Sequence, residues 1–338
     1  MSPSEAPGTG PWPEPAAVSR VAALGGGVIG RSWTALFLAA GKSVALYDPD
    51  PAAEGRVREE VERAWPVLRT LGLTARPEPA DDLTVCDDPR AAVDGADFVQ
   101  ESVPERLGLK HELYRLVEPV LGESAVVASS ASGLTLSELQ RGWSDPARLV
   151  LGHPFNPPHL IPLVEVMGNE RTDARAVPWT RRFYESLGKV TIEVRREVPG
   201  HVANRLQAAL WREAIHLVNE GVASVEDVDT AVSAGPGLRW AAMGPTLLFH
   251  LGAGEGGLAA FCERYADSFH RWWDDLGDPR LDEPTVERLV LGLAAANGGT
   301  TVEDLAGQRD ALVRSFIEVK GVEVKGVEVE GIEAKGFE

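Results

Sequence analysis

Cysteine is scarce in this chain: Cys86 and Cys262 are the only two in 338 residues. Two thiols do not make a disulfide framework, and no Cys/His spacing resembles a metal site, so no metal is expected and a reducing cytoplasm fits. Long apolar runs are also missing. The richest stretch, Val21 to Ala40, is interrupted by Gly25 to Gly27 and by Arg31, well short of the ~18 continuous apolar residues of a membrane helix. The N-terminus has no basic segment followed by an apolar one, so it does not read as a targeting signal. Positive charge is in short supply, with 33 Lys and Arg against 51 Asp and Glu, a net charge of -18 and a pI near 4.9. That balance argues against nucleic acid or an anionic membrane as partner, while leaving room for a local basic pocket. Lysine is absent altogether between Asp48 and Cys86.

What is present is enough chain for two domains, with an ordinary 44% hydrophobic and 25% charged composition. The stretch around which the rest is organised runs from Val18 to Asp48. It reads as a strand (Arg20 to Leu24), a glycine turn, an apolar helix opening at Val28 and a second strand (Ser43 to Tyr47) ending on an acid. Gly25, Gly27 and Gly30 stand at G-x-G-x-x-G spacing, which suits a tight turn, close approach of backbone to a pyrophosphate, and helix packed on strand. Val28 and Ile29 would then offer first-turn N–H groups to the phosphates. Asp48 follows at about the ~20-residue interval expected for the acid that binds the adenine ribose. A carboxylate there repels a 2′-phosphate, so the cofactor expected is NAD.

Further strands are expected at Leu83 to Cys86, Asp97 to Gln100, Ala125 to Ser129, Leu149 to Gly152, Leu163 to Met167 and Val190 to Val194, alternating with helices. Alternation of this kind implies a parallel, doubly wound Rossmann-type sheet, here over residues 18–197. Beyond Pro199 every periodic segment is helical: Val202 to Asn219, Val225 to Ser233, Ala241 to Leu251, Leu258 to Trp273, Thr285 to Ala296 and Val302 to Ile317. An all-helical C-terminal domain over 198–316 follows. Residues 1–17, with five prolines, read as a disordered arm in which Trp12 alone has something to dock. From Ile317 the chain repeats IEVKG, VEVKG, VEVEG, IEAKG, which reads as a low-complexity tail over 317–338.

Four separated motifs carry chemistry. Ser129-Ser130-Ala131-Ser132-Gly133 follows an apolar strand, and its hydroxyls either donate to a substrate oxygen or cap a helix before Leu134. His153, in Gly152-His153-Pro154-Phe155-Asn156-Pro157, has the side chain suited to proton transfer near neutral pH. Glu165 interrupts an apolar strand. Unpaired in a core it would cost several kcal/mol, so it needs a partner, and His153 is the natural one. Asn204, in Gly200-His201-Val202-Ala203-Asn204-Arg205, offers a donor and an acceptor at the start of the helical domain.

Together these residues resemble the 3-hydroxyacyl-CoA dehydrogenase family over nearly everything from Val18 to about Leu312. The serine loop, H-x-F-N-P, V-E-V and N-R-L of that family are met by Ser132, His153, Glu165 and Asn204. The resemblance implies a dimeric NAD-dependent oxidoreductase, with the dimer built through the helical domain. It makes His153 the acid/base and Glu165 its orienting group, and it has Ser132 and Asn204 hydrogen-bond the substrate's 3-oxygen. It also places Glu105 and Lys110 beside the nicotinamide.

The substrate implied is a small 3-hydroxy acid or an acyl-CoA. The chain departs from the CoA enzymes in its short, lysine-free interval after Asp48, although Arg56, Arg58, Arg63, Arg69 and Arg76 could still meet a phosphate. It looks closer to the free-acid branch, the carnitine and L-gulonate dehydrogenase type, through ESVPERLGLKH, GHPFNPPHLIPLVEV, GLRWAAMG and the Gly254-Glu255-Gly256-Gly257 run. Arg239 is a candidate for the substrate carboxylate. Trp240, with Trp211, Phe249, Phe261, Tyr265, Phe269, Trp272 and Trp273, would hold a quaternary ammonium or else form core or dimer interface. A crystallin-like or NAD-sensing role remains the non-enzymatic alternative.

Overall fold

The computed structural model describes residues 12–320, and these divide into two compact units, 12–202 and 203–320. The first alternates strand and helix: β1 (Arg20–Leu24), α1 (Val28–Ala39), β2 (Ser43–Tyr47), α2 (Ala53–Thr70), β3 (Leu83–Cys86), α3 (Pro89–Val93), β4 (Phe98–Glu101), α4 (Leu107–Val117), β5 (Val126–Ser129), α5 (Leu136–Gln140), β6 (Leu149–Pro154), β7 (Leu163–Met167), α6 (Ala176–Ser186) and β8 (Val190–Glu193). The eight strands form one sheet in the order β3-β2-β1-β4-β5-β6-β7-β8. The central strands are buried along nearly their whole length because both faces are covered by helices. One face buries Trp33, Phe37, Phe98, Phe183 and Tyr184, and the other Leu113, Tyr114, Leu136, Leu139 and Trp143.

The expected doubly wound sheet is parallel except at one pair of strands. β7 runs antiparallel to β6, while β8 returns parallel to β7 through α6. The reason is chain length. Residues 155–162 alone join β6 to β7, and a parallel crossover needs a dozen residues or more. The reversal sets His153 directly opposite Glu165 in the ladder, on the same face of the sheet.

The expected disordered arm is also corrected from Trp12 onward; residues 1–11 lie outside the described residues. Pro15–Ala17 form a 3-10 turn, and Trp12, only 5% exposed, lies against Trp179 with ring centroids 6.1 Å apart. Trp179 Nε1 donates to the Pro13 carbonyl at 2.7 Å, and the Arg175 guanidinium sits 5.8 Å over the Trp12 ring.

The second unit is helical throughout: α7 (Ala203–Asn219), α8 (Val225–Ala234), α9 (Pro236–Ala242), α10 (Pro245–Gly252), α11 (Gly257–Asp275), α12 (Glu283–Asn297) and α13 (Val302–Lys320). The single helix expected over Ala241 to Leu251 is two, broken at Met243 and Gly244 so that Pro245 opens the second at its first position, where a missing N–H costs nothing. The Gly254-Glu255-Gly256-Gly257 run turns α10 into α11, with His250 Nδ1 accepting the Leu258 N–H at 3.1 Å. α13 continues three residues past Ile317 to Lys320, and the rest of the repeat tail lies outside the described residues.

Candidate active site

A cleft of about 590 Å³ opens past the carboxyl ends of β1, β4 and β5, lined among others by Gly25, Gly27, Val28, Ile29, Asp48 and Glu105. Its glycine requirements are specific. Gly25 has φ +103°, and a Cβ there would meet the Ser102 carbonyl oxygen at 2.7 Å. A Cβ on Gly27 would meet nothing within 4 Å, which leaves that backbone open to a ligand. No side chain caps α1, so the orphan N–H groups of its first turn are available to a pyrophosphate. Asp48, half-buried, accepts the Gly26 N–H on Oδ2 at 2.7 Å and the Asp50 N–H on Oδ1 at 2.9 Å, which fixes the carboxylate at the cleft rim. These features fit a dinucleotide.

The wall beside this turn is braced by a buried carboxylate that sequence reasoning assigned no role. Glu101 accepts from Lys110 Nζ (2.5 Å), the Val103 N–H (2.8 Å), Tyr114 Oη (2.7 Å) and Ser129 Oγ (2.7 Å). Lys110 lines the cleft, yet its ammonium is turned to Glu101 and the Val103 carbonyl and is 1% exposed. The signal for Glu101 was a charged residue ending an apolar strand. A buried carboxylate must be paired, and Lys110, Tyr114 and Ser129 do so.

Glu105 organises the serine loop. Its Oε1 accepts the N–H groups of Ser132, Gly133 and Leu134, and its Oε2 the Ser132 hydroxyl at 2.9 Å. Burial raises its pKa, but these four bonds outweigh that and the net shift is downward. Ser132 therefore donates to Glu105 in this structure. The loop does not cap α5 either. Thr135 does, in a reciprocal capping box with Glu138.

His153 and Glu165 meet as the antiparallel register requires. His153 Nδ1 lies 2.8 Å from Glu165 Oε2, and Glu165 is fully buried, its Oε1 accepting the Val202 N–H at 2.9 Å. In the neutral ring, a proton on Nδ1 that donates to this carboxylate leaves Nε2 with the lone pair. The ring is flanked by Phe155, edge-on with centroids 5.7 Å apart, and by His201 at 5.1 Å. His201 is a second residue that sequence reasoning quoted without assigning a role.

Asn204 lies in the first turn of α7, and Arg239 and Trp240 on α9 are exposed. Of the eight aromatics considered for a cage, Phe249, Phe261, Tyr265, Phe269, Trp272 and Trp273 pack on one another between α10 and α11, with centroids 4.8 to 5.8 Å apart. Trp211 and Trp240 stand outside that cluster.

A sheet whose first six strands run 3-2-1-4-5-6, with this glycine turn at its switch point, defines a dinucleotide-binding protein of the Rossmann class. Comparison with known proteins narrows the class. Residues 20–198 match the model "3-hydroxyacyl-CoA dehydrogenase, NAD binding domain" and residues 200–295 match "3-hydroxyacyl-CoA dehydrogenase, C-terminal domain". The chain belongs to the 3-hydroxyacyl-CoA dehydrogenase family; its cofactor is NAD and it acts on a CH–OH group. It is 50% identical to an L-carnitine dehydrogenase of Streptomyces coelicolor over 90% of this chain and 95% of that one. It is 47% identical to an L-carnitine dehydrogenase of Nocardiopsis dassonvillei over 90% and 94%. Among solved structures it resembles an FHMPC 5-dehydrogenase described as an NAD+-dependent dismutase, with a TM-score of 0.76, 32% identity, and coverage of 92% of this chain and 100% of that one.

Proposed function

We infer that this protein is an L-3-hydroxy acid dehydrogenase in which His153 is the acid/base, Glu165 its orienting group, and the substrate a small free acid such as L-carnitine. The observation that carries the reading is the buried His153–Glu165 pair, joined through Nδ1 at 2.8 Å. Bound NAD+ supplies the hydride acceptor for the 3-carbon. His153 Nε2 takes the hydroxyl proton as the C–H bond breaks, so the carbon becomes a carbonyl and the proton stays on the imidazole. Glu165 stabilises the resulting imidazolium, and the Val202 N–H holds that carboxylate in place. Ser132 and Asn204 serve the 3-oxygen as the resemblance implies, and for Ser132 that requires its hydroxyl to leave Glu105.

Two observations favour a free acid over a CoA thioester. Four of the five arginines after Asp48 are engaged with carboxylates: Arg56 with Asp50, Arg58 with Glu54, Arg63 with Glu60 and Arg76 with Asp82. The two relatives named above are both L-carnitine dehydrogenases. With six aromatics packed on one another, Trp240 is placed to hold a quaternary ammonium and Arg239, beside it on α9, the carboxylate. The working form is a homodimer through the helical unit, which exposes Leu206, Trp211, Leu247, Leu291 and Leu293. A cytoplasmic setting agrees with its two unpaired cysteines; among the described residues no helix is long and apolar enough to cross a membrane.

The test is NADH formation by purified protein with L-carnitine, L-gulonate, L-3-hydroxybutyrate and L-3-hydroxybutyryl-CoA, alongside a His153→Gln variant. L-carnitine should be preferred, and the variant should lose about a thousandfold in kcat while NADH affinity changes less than about twofold. Preference for the thioester overturns the substrate assignment, and full activity of the variant overturns the acid/base assignment. No turnover with any of them favours a sensing or crystallin-like role.

A further inference from the structure

Three observations converge on His201, all within the sheet unit. Its ring is 2% exposed and tilted 57° against that of His153. Its Nε2–H donates to the Ala131 carbonyl at 3.2 Å, one residue before Ser132, and leaves Nδ1 buried without a hydrogen-bond partner among the described residues. Its backbone, at φ +50°, is the one described non-glycine position in the left-handed region, directly after Gly200 at φ +75°. Two successive left-handed residues turn the chain so that the next N–H, that of Val202, reaches Glu165. A bulky residue persists in such a conformation only where its surroundings over-determine it. Here the ring is held from one side by the serine loop and from the other by His153.

We propose that His201 is a positioning residue that ties the His153–Glu165 pair to the loop carrying Ser132, so that proton acceptor and cleft wall keep a fixed separation. Ala131 lines the dinucleotide cleft, and the chain of contacts runs from its carbonyl through His201 to the ring of His153. The charged and titratable groups that face His201 are His153 from β6, Glu165 from β7 and Glu105 from the loop before α4. Burial lowers the pKa of His201 most, His153 adds to that, and the bond to Ala131 with the two carboxylates only partly offsets it. Burial thus favours the neutral form of His201, beside the imidazole that takes the proton of the reaction.

The inference rests on His153 being the acid/base, so the experiment includes His153→Gln beside His201→Phe and His201→Gln in the full-length protein. Phe keeps a ring against His153 and loses the donor to Ala131; Gln keeps a donor and loses the ring. kcat, KM and NADH affinity are measured from roughly pH 6 to 9, with thermal midpoints as the check on folding. His201→Phe should lower kcat about tenfold with NADH affinity within about twofold, and should move the acid limb of the kcat/KM profile by about half a pH unit or more. His201→Gln should recover part of that kcat. An unchanged kcat and pH profile in His201→Phe overturns the inference, as does a loss that follows the thermal midpoint with the profile unmoved. If His153→Gln is inactive while His201→Phe behaves as the parent, this inference alone falls; if His153→Gln is fully active, the acid/base reading falls and takes it along.

Discussion

A Cβ placed on Gly30 would stand 1.8 Å from the carbonyl oxygen of Gly25. The helix that presents its N-terminus to the cleft is thus packed onto the turn before it at a distance only glycine permits. Gly30→Ala has no flexible neighbour to yield, because the obstructing atom is backbone. It should cost about 1–3 kcal/mol and weaken NADH binding more than about tenfold, read by urea denaturation and by quenching of protein fluorescence.

Asp48 is anchored by the Gly26 and Asp50 N–H groups, so its charge stays at the cleft rim. Replacing it by Ser removes the repulsion of a 2′-phosphate and the acceptor for ribose hydroxyls. The ratio of kcat/KM with NAD to that with NADP should fall by about a hundredfold, of the order of 3 kcal/mol. An unchanged ratio would show that another group selects the cofactor.

Glu101→Gln leaves the Lys110 ammonium without a counter-charge in a fully buried place. Breaking one half of such a pair costs about 3–5 kcal/mol. The urea midpoint should drop accordingly, and Glu101→Gln with Lys110→Met should recover stability, because no charge is then stranded.

Lys189 is buried, donating to the Pro158 and Ile161 carbonyls beneath the loop that follows His153, with Nζ 5.4 Å from the Trp33 ring centroid. Burial lowers its pKa to about 7. The unfolded chain holds this proton up to its ordinary value of 10.5, while the folded one releases it near 7. Between those values the unfolded state binds more protons, so this group makes stability rise with pH by up to about 1.4 kcal/mol per unit. Below the folded value its cost is complete and constant. Lys189→Met should flatten the stability profile between neutral pH and pH 10; an unaltered slope would count against a buried, titrating amine.

Trp12→Ala should cost about 3 kcal/mol, because its indole fills the space between Trp179 and Arg175. The thermal midpoint reads this loss. Removal of residues 1–17 should cost at least as much, since the Pro13 carbonyl and the buried Pro15 hold the described part of that segment as well.

By itself the sequence determined the glycine turn, the acid after β2, the alternation of apolar strands with helices, and the helical second half. Each is a local signal, a period or a spacing within some thirty residues, and local sterics and burial fix each of them without reference to distant parts of the chain. The need of Glu165 for a partner was legible in the same way, since a carboxylate in an apolar strand declares its own cost. Tertiary structure alone decided the reversal of β7, which converts that need into a cross-strand contact with His153 at one register position. It decided that Lys110 turns inward to Glu101 and that Ser132 donates to Glu105, because competition among donors depends on which strands lie side by side. It decided the docking of Trp12, whose prolines read as disorder until Trp179, 167 residues on, supplied a face to bury against. And it brought His201 beside His153, a contact set by a left-handed turn that no pattern of residue types announces.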